Sequence, residues 1–346
     1  MRTLLYLRQL TFLMIIPLQH FFKIAMFLSF CSLCSLAQTP DPIKPLAVTD
    51  SSRFVVNNVP AKRGGSSVAG LALKRAVLSV PGDFVQMGKV FTRDWRQTAA
   101  YTAGIGLFIL ADKPVTKFYQ DQVEKAIDYK LPRISGRKNT IFFNGNDAYL
   151  NYSIIALYGG SLIGKYDKGQ RAALNSIKAL TYSYLIVQVG LKAVFARQRP
   201  DPTLSDGVDV KPPYTNNPHH FFNFRKISFR EGPNATSFPS MHATSYFAVA
   251  RVMAQEFNNY WIPYGAVSFL FLADLKSHQH WVGDMVAGGI LGSVIGQGVV
   301  LSSKLWDKKQ KEKSLGLNRY RKIKYNYQIM PRISTQMTGL TMLVSL

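Results

Sequence analysis

The sequence predicts an all-α fold: a helical bundle of about six core helices, broken by a long loop and followed by a short C-terminal extension. Three observations point there. Apolar residues recur with the helical period from about residue 71 onward. Partial strand-like alternation shows in the last stretch, 325–346, where it predicts a short hairpin. With 47% hydrophobic and 18% charged residues, a chain of 346 residues has enough apolar surface for a real core and too few charges for disorder.

Lys and Arg number 42 against 19 Asp and Glu, a net charge of +23. Such an excess predicts an anionic counterpart: a membrane surface, a phosphorylated substrate or nucleic acid. Mean hydropathy is +0.01, low for a chain made mostly of lipid-facing helices, which argues against a channel or transporter.

Residues 1–37 read as a signal peptide. Arg2, Arg8 and Lys23 are its only charges, apolar runs follow at 10–18 and 24–36, and Ser35-Leu36-Ala37 places small residues at −3 and −1 of a cleavage site. An uncleaved anchor is the alternative. Both cysteines, Cys31 and Cys34, fall inside this segment, so a processed chain has neither a disulfide nor a thiolate metal site. An exported, cysteine-free, basic protein belongs in a bacterial cell envelope, periplasmic or membrane-associated, and nucleic acid is not expected as a partner.

Residues 38–70 form a lead-in rich in Pro, Ser, Val and Gly. The main domain is expected at 71–305, with helices near 97–112, 118–128, 147–166, 169–197, 241–257, 259–275 and 281–304. Polar insertions separate them at 129–146 and 201–238. The second is a long loop with Pro202, Pro212, Pro213, Pro218 and Pro233 among aromatic and basic residues, a length that is commonly functional. Residues 306–346 form a basic extension. A membrane span needs about 20 mostly apolar residues. Only 281–302 approaches that, while Lys178, Arg251 and Glu256 interrupt other helices, so a protein-packed bundle is expected.

Three short patterns carry chemistry. In Lys192-Ala-Val-Phe-Ala-Arg-Gln-Arg199-Pro200 the two outer cations lie nearly two helical turns apart, so they project from one face near a helix end and call for an anion. An amphipathic helix end with snorkelling cations gives the same pattern. In Phe238-Pro239-Ser240-Met241-His242, Ser240 is a helix N-cap with outward amides, an anion site beside His242, or simply a capped helix start. In His280-Trp281-Val282-Gly283-Asp284 the acid at i+4 can orient the imidazole, catalytically or as a buried structural pair.

Taken in order, KxxxxxxRP, PSxH and HxxxD resemble the signature of the type 2 phosphatidic acid phosphatase superfamily, which also holds bacterial acid phosphatases and vanadium haloperoxidases. The resemblance covers about residues 95–305. It implies a helical bundle that hydrolyses phosphate esters or pyrophosphates without a cofactor or metal. By position, Lys192 and Arg199 grip the phosphate, helped by Ser240 and nearby amides including that of Met241. His242 protonates the leaving oxygen, His280 attacks phosphorus, and Asp284 orients His280. Two positions depart from the pattern: Met241 replaces a Gly, and Asp274, six residues before His280, replaces an Arg. Lys276, Arg225 and Arg230 are the cations available to compensate. The resemblance implies an exported phosphatase acting on a phosphorylated lipid or a small phosphate ester at an anionic membrane surface. The alternatives are a catalytically weak headgroup-binding protein and a vanadium-dependent haloperoxidase.

Overall fold

A computed structural model describes residues 67–127, 129–132, 134, 147–204, 214–223, 227, 237–274, 280–314, 326–334 and 337–345. The expected signal peptide, most of the lead-in, Lys276, Arg225, Arg230 and the side chain of Asp274 lie outside the described residues.

Helix α1 (Val68–Leu78) starts two residues before the lead-in was expected to end, because the Ser67 hydroxyl accepts from the Gly70 amide and caps it. Helix α2 (Val80–Thr92) follows, with Pro81 in its first turn. Neither was resolved as a separate helix from the sequence. Helix α3 (Trp95–Leu110) is capped by Asp94, which accepts from the Arg96 and Gln97 amides. A break at Ala111 starts α4 (Asp112–Phe118), which winds into a π-helical turn, Tyr119–Glu124. The helix expected at 118–128 is therefore the tail of a helix that begins earlier.

Helices α5 (Asp147–Ile163) and α6 (Asp167–Ser183) come next. Helix α6 continues through a π-helical stretch, Tyr184–Leu191, into the short α7 (Lys192–Phe195). The two-residue strands β1 (Arg199–Pro200) and β2 (Tyr214–Thr215) pair in parallel and fold the long loop back onto the end of this segment. Helix α8 (Met241–Phe257), α9 (Trp261–Asp274) and α10 (Val282–Ser314) complete the helical unit, which runs to Ser303. The second unit, Lys304–Leu346, holds the basic end of α10 and an antiparallel hairpin of β3 (Asn326–Ser334) and β4 (Met337–Ser345). Helix α10 outlasts its expected end by ten residues because Lys, Gln, Glu and Leu, all strong helix formers, fill eight of the ten positions 304–313.

Helix α8 is the centre of the bundle, packed on α6 and α9. Its Tyr246, Phe247 and Ala250 sit in one apolar cluster with Tyr264 and Phe271 of α9 and Met285 and Ile290 of α10. Ala248 and Val252 sit in another with Tyr182, Ile295 and Val299. The charges that interrupt the helices are spent inside the bundle. Lys178 and Tyr182 both reach Asp83 at 2.7 Å, Arg171 and Asn175 hold Glu256, and Arg251 donates to Gln297. Helix α10 is long and apolar enough to cross a membrane, yet 78% of its apolar window is buried within the bundle. The outer surface is apolar in places: Trp95 and Trp261, each the first residue of its helix, are 73% and 86% exposed.

Candidate active site

The three motifs meet at the start of α10. His280 stands just before that helix and is 14% exposed by its side chain. Its Nδ1 lies 2.9 Å from the Ser237 carbonyl oxygen, which can only accept. Nδ1 therefore carries the proton, and Nε2 keeps a free lone pair. The nearer Asp284 oxygen is 3.8 Å from Nδ1, too long for a hydrogen bond. Asp284, expected to orient this ring, is its near neighbour at Nδ1 rather than its closest acceptor. Ser237 fixes the ring, and Asp284 acts on it as a nearby charge.

Asp284 is fully buried and bound elsewhere. Its Oδ1 accepts from Arg197 Nη1 at 2.5 Å, its Oδ2 accepts from the Trp281 amide at 3.0 Å, and its carbonyl accepts from the Ser240 amide. Burial pushes its carboxyl up, but the Arg197 guanidinium and His280 outweigh that and hold it low. Sequence reasoning passed over Arg197, although it lies within the first motif. It is fully buried, and its Nη2 also donates to Asp112 Oδ2 at 2.7 Å. Its remaining donors reach the Pro218 carbonyl, and its plane lies against the Phe221 and Trp281 rings.

Asp112 was missed as well. Its Oδ1 accepts from the Gly283 amide at 2.7 Å, and Thr116, one turn later, accepts from the Val282 amide at 3.2 Å. Helix α4 therefore supplies caps for the start of α10. Burial raises the Asp112 carboxyl to about 6 against the pull of Arg197. An acid closing an apolar run was the only sequence signal, and nothing in the sequence linked it to a helix 171 residues away.

The first motif is built differently from the helical expectation. Helix α7 ends at Phe195, where Ala196 turns left-handed at φ 38°, so Arg199 leaves the helix and sits on β1. That turn, rather than helical periodicity, sets the course of the chain from Lys192 to Arg199. Lys192 is buried at 4% exposure. Burial holds the His280 imidazole down to about 4, and the charges of Arg199 and Lys192 push the same way, against Asp284. Both cations therefore bear on a neutral histidine.

In the second motif Ser240 is fully buried, and its hydroxyl oxygen accepts from the Ala243 amide as the α8 N-cap. That oxygen accepts through one lone pair, and its O–H remains a donor at the start of α8. Met241, the first residue of α8, is also buried. His242 is half-buried, with Nε2 at 3.4 Å from Oδ2 of Asp147, the first residue of α5 and a further partner not expected from the sequence. Aromatic side chains of Phe195, Phe221, Phe222 and Phe238 pack against one another beside these groups, and Phe222 is exposed. Among the described residues no group of three or more His, Cys, Asp or Glu side chains is placed to hold a metal ion.

This arrangement offers a neutral imidazole with a free Nε2, two cations near it, and a second histidine paired to a carboxylate. Residues 172–307 match the family model described as the PAP2 superfamily. No curated protein and no solved structure matches the chain.

Proposed function

Because residues 172–307 match the PAP2 superfamily model, we propose that the chain is a phosphatase that works through a phosphohistidine on His280. The observation that carries this reading is the Nδ1 contact of His280 to the Ser237 carbonyl, which leaves Nε2 as the nucleophile. The low-lying basicity of that ring keeps it neutral and ready above about pH 4.

In the proposed cycle the Nε2 lone pair forms a bond to phosphorus while the bond from phosphorus to the leaving oxygen breaks. His242, protonated and facing Asp147, gives its proton to that oxygen. Lys192 and Arg199 stabilise the charge on the phosphoryl oxygens. A water then attacks phosphorus and gives its proton back to His242. The N–P bond breaks, and inorganic phosphate and neutral His280 are regenerated.

The substrate is proposed to be an envelope phosphate ester, with a phosphorylated lipid favoured over a small soluble one. The exposed Phe222 beside the Phe195, Phe221 and Phe238 cluster offers an apolar surface next to the cations. Exposed Trp95 with Arg96 stacked on it suits an anionic membrane surface. Export to the envelope is part of the same proposal and rests on the N-terminal sequence.

The test is metal-free hydrolysis of para-nitrophenyl phosphate by the purified protein, beside a bromination assay with added vanadate. His280→Ala is expected to abolish hydrolysis, and retention of more than about a tenth of wild-type kcat rejects the nucleophile. His242→Ala is expected to slow alkyl phosphates more than nitrophenyl phosphate, since a good leaving group needs no proton. Bromination without hydrolysis points to the haloperoxidase alternative, and binding without either points to a headgroup-binding protein.

A further inference from the structure

Three fully buried charges stand behind His280, and one of them comes from outside the matched segment. Asp112, Arg197 and Asp284 form a line in which the guanidinium donates to a carboxylate on either side. Asp112 also holds the Gly283 amide, and Asp284 holds the Trp281 amide, so the two acids secure the backbone immediately after His280. A cation shared between two carboxylates neutralises neither completely. The pair therefore leaves a net negative charge in a dry region, and Asp284 carries part of it to within 3.8 Å of the His280 ring.

We propose that Asp112 is a positioning residue for the nucleophile: by taking half of Arg197, it leaves Asp284 enough charge to support His280 when the ring becomes positive. His280 gains positive charge only when Nε2 bonds to phosphorus. The support therefore acts on the covalent state and hardly on the bound phosphate. This inference rests on the proposed nucleophilic role of His280. The groups facing Asp112 are Arg197 and, beyond it, Asp284; those facing His280 are Asp284, Arg199 and Lys192.

A merely structural acid at this place behaves differently. Removing it loosens the start of α10 and weakens every property of the site together. Thr116 provides the comparison, since it caps the neighbouring amide of Val282 without any charge.

The experiment measures orthovanadate and inorganic phosphate binding by calorimetry, together with kcat and KM, in the wild type, Asp112→Asn and Thr116→Val. Vanadate expands its coordination to take a bond from Nε2, whereas phosphate is held by the cations alone. Asp112→Asn is expected to lose about tenfold in vanadate affinity and in kcat, while phosphate affinity and KM stay within about twofold. An inflection in the kcat profile near pH 6 is expected from Asp112 in the wild type; it should be absent in Asp112→Asn and present in Thr116→Val. Equal losses for both anions, matching those of Thr116→Val, overturn the proposal, as does unchanged vanadate affinity. A wild type that binds neither anion, or an active His280→Ala, overturns the phosphatase reading itself and this inference with it. An inactive His280→Ala beside an unaffected Asp112→Asn overturns only the role of Asp112.

Discussion

Gly292 of α10 lies directly against the Thr244 carbonyl of α8, so close that a Cβ built on it would overlap that oxygen and crowd the Ala248 amide at 2.9 Å. Gly288 and Gly296, one turn to either side, meet the Ser240 and Ala248 carbonyls in the same way. Small residues at every fourth position let two helix backbones touch, and this contact brings the start of α8, with His242, beside the start of α10. Gly292→Ala is therefore expected to destabilise by about 2–4 kcal/mol, because backbone, unlike a side chain, cannot move aside. Gly104→Ala in α3, where a Cβ meets nothing within 4 Å, should instead stabilise by about 0.5–1 kcal/mol. Urea unfolding of both variants checks the pair, and similar values for the two sink the close-packing account.

Gly283 poses the same question at the site itself. A Cβ there would lie 2.7 Å from Asp112 Oδ2, and Arg197 prevents that carboxylate from swinging away. Gly283→Ala should cost about 1–3 kcal/mol and reduce kcat, since it pushes on the clamp behind His280. A thermal melt with a parallel kcat measurement decides it: wild-type values for both would show that the carboxylate yields freely.

Arg197 is the shared counter-charge of two buried acids, so its loss is worse than the loss of either acid. Arg197→Met leaves Asp112 and Asp284 facing each other in a dry region, at an expected cost of about 3–5 kcal/mol. The double variant Arg197→Met with Asp112→Asn should recover part of that loss, because one stranded charge is removed. Chemical denaturation of the two proteins is the check, and a double variant no more stable than the single one contradicts the shared-cation arrangement.

Stability should respond to pH in opposite directions at His280 and Asp112. The His280 value is depressed from 6.5 to about 4, so its contribution is present above about pH 6.5 and is lost as pH falls towards 4. Asp112 is raised from 3.8 to about 6, so its contribution is present at low pH and is lost as pH rises through 6. Glu124, raised from 4.5 to about 7 by burial, behaves like Asp112 and loses its contribution as pH rises through 7. Each full shift is worth about 3 kcal/mol, and the first two nearly cancel between pH 4 and 6. The gain in unfolding free energy on going from pH 7 to pH 5 should accordingly be largest in His280→Ala, intermediate in the wild type and smallest in Asp112→Asn. Any other order contradicts these assignments.

Helical period and local spacing were sufficient to predict the all-α bundle, the three motifs and their order, because each depends on residues a few positions apart. The charges at Lys178, Arg251 and Glu256 were also read correctly as belonging to a protein-packed bundle. What needed the tertiary structure was everything that pairs distant residues. Helical periodicity predicted that Lys192 and Arg199 share one helix face, but a left-handed Ala196 ends the helix first and the β1–β2 pairing decides where Arg199 goes. The i+4 spacing of His280 and Asp284 pointed to a direct bond. The two do stand 3.8 Å apart, but the shortest contact of Asp284 is to Arg197, because a fully desolvated carboxylate binds the strongest donor within reach. Asp112 and Asp147 come from helices that precede the motifs, and no local pattern marks which buried acid will meet which base. A local sequence determines helices and caps through contacts within a turn or two; desolvation and packing between helices then decide which charges face each other, and here they placed the groups that hold His280 and His242.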